Sequence, residues 1–459
     1  MDDLGERSQD ALPSAPEPER KGHSRRDFLK RAAGVAIGLP AAGALAGNAG
    51  AVPRVSVASR AFEGVTLQFA KAPFGTDEKD VIAKLVKPWE DKTGAKIVHT
   101  VVPWNVEGAT YATNYAGPNP FDVSYQTSTD LTGLGTKGVL EVLNTSKWLD
   151  SPAYASTKAK FIPNTITKST YKGKLYGLPC IIGGTVIYYN KDLLGKANIA
   201  NIPRTEPELM AAAVKIAKLG GGVWGHNVPL SNKDFTWYFL YHGLHNRGID
   251  IISKDQSKVT FSDPKAAAAL QFYVDLITNK AQPPVGQYDR EAGVSLFKAG
   301  RIGFLHDEPL RLAVFRSEKL PFKWDFINPV GVGSKRTIFS TTGHWVMAAN
   351  GKNKDAAWDF VKFLSSPAFA GPFGQHYGWA PVRSDVNTAK DPDTGKVDAQ
   401  VTRVNGYVLK GWDGLPTGPK MAQLTDVYGQ AIEAAATGKL SAKAALAKAQ
   451  KDGTSILKS

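Results

Sequence analysis

The stretch YKGKLYGLPCIIGGTVIYYNKDLL, residues 171 to 194, decides the fold of this chain. Two apolar runs of strand length lie around Gly183 and Gly184, and a helix start follows them. A nearly continuous apolar run indicates a strand covered on both faces, and glycine within a strand marks a bend or a close approach. We therefore expect a crossover strand with a hinge at these glycines. A plain bulge is the alternative, and a catalytic turn would need a serine or an acid at this place.

Composition limits the class of protein. The chain has 459 residues, of which 42% are hydrophobic and 21% charged, so it is long enough to bury more than one core. The formal net charge is +14, but lysine and arginine are scattered rather than grouped with stacking aromatics, which argues against nucleic-acid binding. Cys180 is the single cysteine, so neither a disulfide framework nor a cysteine zinc cluster can form.

The N-terminal sequence predicts export. SRRDFLKRAAGVAIGLPAAGALAG, residues 24 to 47, has paired arginines before a weakly apolar stretch and resembles a twin-arginine signal. That stretch is shorter than the ~20 residues of a spanning helix, so an uncleaved membrane helix is the weaker alternative. We predict a signal peptide and N-terminal extension over residues 1–51, cleavage between Ala46 and Ala61, and a periplasmic or extracellular protein at the outer face of the cytoplasmic membrane.

Strand and helix patterns alternate after this signal. VTLQF, residues 65–69, reads as a strand, and the next apolar stripe at helical spacing closes at Gly94. Thr205 and Glu208 have the spacing of a capping box, and Asp263 precedes a proline at a second helix start. Without a short internal repeat, this alternation predicts an α/β fold with helices on both faces of its sheets.

Six stretches, in this order, carry a family resemblance. Together they make the chain resemble the extracellular solute-binding proteins of ATP-binding-cassette importers, in the family-1 group that includes maltodextrin-binding proteins. The resemblance extends from about residue 65 to 450, nearly all of the exported part. Besides residues 171–194, the stretches are PWEDKTGAKIVHTVVP (88–103), FDVSYQTSTDLTGLGTKGVLEVL (121–143), SLFKAGRIGFLHDEP (295–309), DAAWDFVKFLSS (355–366) and WAPVRSD (379–385).

The resemblance implies a two-lobed, periplasmic-binding-protein-like fold of type II, with crossover hinge strands and solute held between the lobes. Lobe 1 is then expected over residues 62–178 and 331–372, and lobe 2 over 179–330 and 373–459. A second crossing is expected within INPVGVGSKRTIFSTTGHWVMAAN, residues 327–350, where a glycine-rich link precedes a short apolar strand.

Candidate ligand-binding residues follow from strand ends and from the resemblance. Sugar clefts stack aromatic rings against sugar faces and hold hydroxyls with fixed polar groups, and 10 Trp and 15 Tyr are available here. Each candidate has a plainer alternative: a helix start, a solvated turn or a core position. The candidates are Asp77, Gln126, Ser128, Asp130, Gly183, Trp237, Glu308, Trp345, Trp379 and Arg383, of which Trp379 and Arg383 match the family's stacking aromatic and arginine.

Two positions depart from the family pattern. Leu310 stands where the sugar binders commonly have Trp, and Glu308 stands where a small residue is usual. The first departure argues against an oligosaccharide, and the second favours an amino or otherwise cationic solute. The positive net charge would suit an anionic solute instead, so the class of solute stays open.

We expect a monomeric binding protein that captures a small solute, most simply a carbohydrate, and delivers it to a membrane permease without cofactor, metal or catalysis. A polyamine or a sugar phosphate is an alternative solute. A secreted carbohydrate-active enzyme and an adhesion protein are the rival classes, although no serine-hydrolase, P-loop or zincin motif occurs. His226, His242 and His245 are possible metal ligands, but a pair at i, i+3 in an aromatic helix is more typical of a core.

Overall fold

The structure is a computed structural model that describes residues 60–232, 235–287, 289–333, 338–390 and 394–459. The predicted export signal and the N-terminal extension lie outside these residues. Within the described ranges, no helix combines the length and apolarity needed to cross a membrane.

Twelve strands are present among the described residues, in three sheets. They are β1 (Thr66–Lys71), β2 (Lys96–Val101), β3 (Val123–Thr127), β4 (Thr170–Tyr171), β5 (Lys174–Leu175), β6 (Leu178–Gly184), β7 (Val186–Asn190), β8 (Trp224–Asn227), β9 (Ile302–Asp307), β10 (Trp324–Ile327), β11 (Ile338–Met347) and β12 (Trp412–Gly414).

Sixteen α-helices connect and cover these strands in the described part of the chain. They are α1 (Glu78–Thr93), α2 (Glu107–Ala116), α3 (Ser128–Thr136), α4 (Ala155–Lys158), α5 (Pro163–Lys168), α6 (Lys191–Lys196), α7 (Glu206–Ala217), α8 (Thr236–Asn246), α9 (Pro264–Thr278), α10 (Arg290–Lys298), α11 (Arg311–Ser317), α12 (Lys354–Leu364), α13 (Pro367–Tyr377), α14 (Ala399–Gly411), α15 (Met421–Ala436) and α16 (Ala442–Lys458).

The predicted helix signals are confirmed. Helix α1 ends at Gly94, whose φ of 78° is easily adopted by glycine, and α7 begins with a complete capping box of Thr205 and Glu208. Asp263 caps α9 by accepting a hydrogen bond from the backbone of Lys265. These helices start and stop where local side chains satisfy their terminal backbone groups.

Lobe 1 is built on the six-stranded sheet. Its order is β12-β11-β3-β1-β2, with β6 paired to β11, and β1 runs parallel to both β2 and β3. Neighbouring side chains point to opposite faces of the sheet: Phe69 and Trp345 pack into one core cluster, Ala70 and Val346 into another. Helices α1, α12 and α13 contribute to the first cluster, and α2 and α3 to the second. The predicted α/β packing on both faces is confirmed.

Lobe 2 is built on the four-stranded sheet, of order β10-β7-β9-β8. Here too the faces alternate, because Ile187 and Phe304 enter one cluster while Tyr188 and Leu305 enter the other. The first of these clusters also holds the apolar faces of α7, α8, α9, α15 and α16. Lobe 2 therefore has its own large core beside the C-terminal helices.

The chain changes sheet between Gly184 and Val186, as the apolar run predicted. Strand β6 pairs with β11 in the larger sheet, β7 pairs with β9 and β10 in the smaller one, and every residue of both strands is buried. The second predicted crossing is also present, because β10 belongs to the smaller sheet and β11 to the larger. Hinge motion at these crossings stays a prediction.

The predicted lobe boundaries stay approximate. The boundary at 178/179 falls at the start of β6, which remains in the larger sheet through Gly184. The boundary at 372/373 falls inside α13, whose Phe373 packs against Trp345 of lobe 1. Both predicted boundaries therefore lie inside elements that pack in lobe 1.

Candidate functional site

A cavity of about 1100 Å³ lies between the two lobes. On the lobe 1 side it is lined by the loops that follow β1, β2 and β3. These parallel strands all direct their carboxyl ends to the same edge of the sheet, where ligands bind in open α/β sheets. Residues of α8, α10 and α11 line the lobe 2 side, while Ile181, Gly183 and Thr341 of the crossover strands line the base.

The loop after β1 is fixed by a buried ion pair. Lys71 Nζ lies 2.8 Å from Glu78 Oε1, and both side chains are almost fully buried. The other carboxylate oxygen of Glu78 accepts hydrogen bonds from the Phe74 amide at 3.0 Å and the Tyr377 hydroxyl at 3.1 Å. Burial lowers the pKa of Lys71 to about 8 although Glu78 opposes this shift. This pair holds Phe74, Glu78 and Tyr377 in the cavity wall.

Asp77, predicted from its place after the first strand, lines the cavity. Its carboxylate lies 2.8 Å from Nε2 of His376, and both side chains are about half exposed. The side chain makes no cap hydrogen bond at the start of α1. The structure thus places Asp77 at the cleft rim, beside an imidazole of α13.

The loop after β2 brings Trp104 and Glu107 into the cavity wall. The indole Nε1 of Trp104 donates to the backbone oxygen of Pro73 at 2.6 Å, which joins this loop to the one after β1. The Trp104 ring centroid lies 6.2 Å from that of Phe235, which precedes α8 of lobe 2. The two lobes therefore contact each other at this edge of the cleft.

The predicted residues of FDVSYQTSTD, residues 121–130, have two different positions in the structure. Ser128 and Asp130 line the cavity. Asp130 accepts hydrogen bonds from the hydroxyls of Thr127 at 2.6 Å and Thr129 at 3.1 Å. Burial raises the pKa of Asp130, and the two hydroxyls oppose that rise. Gln126 is instead buried inside lobe 1, where its amide donates to Ser124 Oγ at 3.0 Å.

Lobe 2 presents a network of charges at the end of β9. The Arg290 guanidinium bridges Asp307 and Glu308, lying 2.6 Å from the Glu308 carboxylate. Arg311 pairs with Glu291 and lies 3.4 Å from Asp307. Burial disfavours the charge on Asp307, but the two guanidinium groups lower its pKa overall. Glu308, which stands where the family usually has a small residue, thus lines the cavity as the partner of Arg290.

Aromatic rings form much of the remaining lining. Trp237 is half-buried and lines the cavity on the lobe 2 side. Trp379 lines the base but is only 3% exposed, with its ring centroid 5.2 Å from that of Phe74. Its indole Nε1 is buried without a hydrogen-bond partner among the described residues. Trp379 therefore offers the cavity only a small part of its ring rather than a broad stacking face.

Trp345 and Arg383, like Gln126, do not line the cavity. Trp345 is 1% exposed and packs against Phe69 and other rings in the lobe 1 core. The Arg383 guanidinium is held by both carboxylate oxygens of Asp385, at 2.9 and 2.7 Å, and by the Ser365 carbonyl at 2.9 Å. These three side chains have internal partners that keep them in lobe 1.

The three histidines that could be metal ligands, His226, His242 and His245, are buried in lobe 2. His226 Nδ1 and Gln282 Oε1 are 2.7 Å apart, and His242 is hydrogen-bonded to the Phe239 carbonyl and the Tyr273 hydroxyl. Burial lowers the pKa of both imidazoles to about 4. Among the residues that the structure describes, no group of three or more His, Cys, Asp or Glu side chains could hold a metal ion.

Several lining residues were not among the sequence candidates. Trp104 and Glu107 follow the apolar run that forms β2, so the strand-end argument used for Asp77 would have found them. Arg290 and Tyr238 carried no local signal, because they reach the cavity from helices of the other lobe. Their position depends on how lobe 2 packs against the crossover strands.

Comparison with known proteins assigns a family. A family model described as bacterial extracellular solute-binding protein matches residues 84–402. A Brucella abortus protein, whose name states binding without a ligand, is 29% identical over 381 residues, covering 80% of this chain and 87% of that protein. Diacetylchitobiose binding protein DasA of Streptomyces coelicolor is 22% identical over 321 residues, or 68% of this chain and 72% of that protein.

Solved structures share the fold. Maltose-bound MalE3 of T. maritima has a TM-score of 0.74 to this chain at 24% sequence identity, covering 86% of this chain and 99% of that one. The likeness confirms the predicted two-lobed architecture.

Proposed function

This chain belongs to the bacterial extracellular solute-binding proteins, and we propose from this premise that it captures a carbohydrate between its lobes for the permease of an ATP-binding-cassette importer. The observation that carries the proposal is the cavity of about 1100 Å³, lined by both lobes and by the crossover strands between them. A ligand in this position contacts both lobes at once, and its affinity then depends on how the lobes are arranged.

The lining suits a carbohydrate. Rings of Trp104, Tyr125 and Trp237 supply apolar surface, and fixed carboxylates and hydroxyls stand between them. Sugars use both kinds of contact, because their ring faces are apolar and their edges carry hydroxyls. Support also comes from relatives, one named for diacetylchitobiose and one solved with maltose.

We assign the ligand-binding role to the lining residues only. The assigned lining residues comprise seven that the sequence predicted and three that it did not suggest. Gln126, Trp345 and Arg383 are left out because their side chains are committed to lobe 1. The assigned set is Asp77, Ser128, Asp130, Gly183, Trp237, Glu308 and Trp379 together with Trp104, Glu107 and Tyr125.

In the proposed mechanism, the solute is captured when the two lobes close around it. Lobes that sample open and closed forms are shifted toward the closed form by a solute that binds it better. The contact between Trp104 and Phe235 gives the closed form an interface at the cleft edge. The closed, loaded protein then docks on the permease as a monomer, after export by the twin-arginine route.

The lining gives little support to a sugar phosphate. The two guanidinium groups that reach the cavity, Arg290 and Arg311, are each paired with carboxylates. A phosphate would have to compete with those carboxylates for the same donors. We therefore keep carbohydrate as the proposed class and include no bond cleavage in the proposal.

A thermal-shift screen over neutral, aminated, acetylated and phosphorylated sugars, polyamines and amino acids tests this function, because a bound ligand raises the unfolding temperature. Hits are then titrated by calorimetry. We expect saccharide hits that bind one per chain and are not consumed. Hits confined to amino acids or phosphates would contradict the carbohydrate assignment, and release of reducing ends from an oligosaccharide would replace it with an enzyme.

A further inference from the structure

The cavity is acidic although the whole chain is basic. The formal net charge of the chain is +14, so its overall field would favour anions. Local charges decide what binds in a cleft, because exposed distant charges are screened within about 10 Å at moderate salt. Seven carboxylic and four cationic side chains line the cavity: Asp77, Glu78, Glu107, Asp130, Glu291, Glu308 and Glu318 against Lys79, Lys298, Arg290 and Arg311.

Most of the cationic side chains are already neutralised. Arg290 is paired with Asp307 and Glu308, and Arg311 with Glu291. Lys298 Nζ lies 2.7 Å from the Glu318 carboxylate. Among the described residues that line the cavity, these pairs leave no unpaired guanidinium for an anionic ligand.

Glu107 and Asp130 are different, because neither forms an ion pair within the described residues. Glu107 is only 7% exposed, and its buried Oε2 has no hydrogen-bond partner in that part of the chain. Asp130 accepts two hydroxyl hydrogen bonds but has no cation beside it. A buried acceptor without a donor is costly in a native protein, and such groups commonly await a ligand or water.

We propose that the carbohydrate bound here carries a primary amine, and that Glu107 and Asp130 bind its ammonium group. The inference rests on the proposed function, since it names a class within the carbohydrates. An ammonium group has three donors and no acceptor, which matches the donorless Oε2 of Glu107 and the carboxyl group of Asp130, whose two hydroxyl donors both go to Oδ2. Hydrogen bonds between charged partners are roughly twice as strong as neutral ones. Trp104 in the loop after β2 and Tyr125 of β3 supply the apolar surface for the sugar ring.

Binding of an amine should also change the protonation of Glu107, which can be measured separately from affinity. Burial raises the pKa of Glu107 well above its ordinary value, Asp130 raises it further, and Lys71 opposes the rise. Tyr111 and Tyr125 are further titratable side chains that interact with this carboxyl group, and burial is the main cause of the raised pKa of each. Burial and the neighbouring Asp130 thus favour the protonated form of Glu107 in the free protein. An arriving ammonium group favours the carboxylate and releases that proton, whereas a neutral sugar does not.

Calorimetry with matched sugars tests the inference. Glucosamine and chitosan dimers to tetramers are titrated beside their N-acetylated forms, beside glucose and cellobiose, and beside spermidine. Each titration is repeated in two buffers that differ in ionisation enthalpy, which measures protons released on binding. We expect the amine-bearing sugars to bind at least tenfold more tightly than their acetylated partners and to release a fraction of one proton.

Two variants separate the role of Glu107 from a general effect of losing a buried carboxyl group. Glu107→Gln should remove the tenfold preference for amine-bearing sugars over their acetylated partners, together with the proton release. Asp122→Asn is the matched control, because Asp122 is a buried lobe 1 carboxyl group with a raised pKa that does not line the cavity. This control should keep the preference. Thermal unfolding of each variant verifies that it is folded.

The outcomes distinguish this inference from the proposed function. Equal or tighter binding of neutral or acetylated sugars contradicts the inference and leaves the carbohydrate function standing. Binding of spermidine without any saccharide contradicts the carbohydrate function and supports the carboxyl pair as an amine site. Failure of every probe contradicts both.

Discussion

Gly183 and Trp379 are in tight contact at the base of the cleft: a Cβ atom built on Gly183 would lie 3.2 Å from Cζ3 of the indole. The same atom would lie 3.3 Å from the hydroxyl of Tyr238, which belongs to α8 of lobe 2. Gly183 therefore lies where the crossover strand, a lobe 1 ring and a lobe 2 helix meet. The Trp379 ring and the Tyr238 hydroxyl are so close to the backbone here that position 183 favours glycine.

We predict that Gly183→Val weakens solute binding tenfold or more, because its side chain would separate Trp379 from Tyr238 and hold the lobes apart. Calorimetry with the best saccharide of the screen measures the effect. Gly195→Ala in α6 is the matched control, because a Cβ there has no atom within 4 Å. Unchanged affinity in Gly183→Val would show that the close packing at this joint is irrelevant to binding.

We predict different results for two tryptophans. Trp237→Ala should weaken saccharide binding by about 1 to 3 kcal/mol through lost ring contact, with little change in unfolding temperature. Trp345→Phe should lower stability while affinity stays the same, because Trp345 is in the lobe 1 core. Calorimetry and thermal unfolding of both proteins are compared. Loss of affinity in Trp345→Phe, with Trp237→Ala unaffected, would reverse the assignment.

The buried pair of Lys71 and Glu78 should be visible in unfolding by urea. Lys71→Met leaves the Glu78 carboxylate buried without its counter-charge, and we expect the free energy of unfolding to fall by about 3 to 5 kcal/mol. The double variant Lys71→Met with Glu78→Gln removes both charges and should regain most of that loss. Equal destabilisation of the single and double variants would mean that the charges themselves matter little.

Acid should destabilise the folded protein between pH 6.5 and about 4. Burial lowers the pKa of His226 and His242 to about 4 and that of His344 to about 3, whereas an unfolded histidine titrates near 6.5. The unfolded chain binds more protons in this interval, so stability falls as the pH falls. One pKa unit corresponds to about 1.4 kcal/mol, and we expect a combined loss of several kcal/mol in urea unfolding.

A histidine variant separates this effect from that of carboxyl groups with raised pKa, such as Glu107 and Asp130. Those groups have the opposite effect, because they make the folded protein more stable as the pH falls. His344→Gln should show a shallower loss of stability with acid than the unmodified protein. His376→Gln is the control and should show the same loss as the unmodified protein, because His376 is about half exposed rather than buried. An identical pH dependence in all three proteins would exclude the buried imidazoles as its cause.

Local sequence predicted those parts of the fold that local chemistry determines. The apolar run around Gly183 became β6 and β7, buried on both faces, and Thr205 with Glu208 closed the capping box of α7. Each depends on residues close together in the chain. For the same reason, the strand ends correctly pointed to Asp77 at the cleft.

Long-range packing determined what the sequence did not predict. Arg383 looked like a ligand because it follows Trp379 at the family spacing, but Asp385 holds its guanidinium. Arg290 reaches the cavity only because β9 places Asp307 beside it. Neither partnership leaves a periodic pattern in the sequence. The same holds for the nearly complete burial of Trp379 at the base of the cleft.

Closure of the lobes around a saccharide tests the central claim most directly. Spin labels at Lys84 of α1 and Lys215 of α7, both exposed, report the distance between the lobes in a Cys180→Ala background. The account predicts that the best saccharide of the screen shifts this distance to one narrow population, and that Glu107→Gln with Trp237→Ala removes the shift. A distance distribution that stays the same while calorimetry shows saturated binding would contradict it.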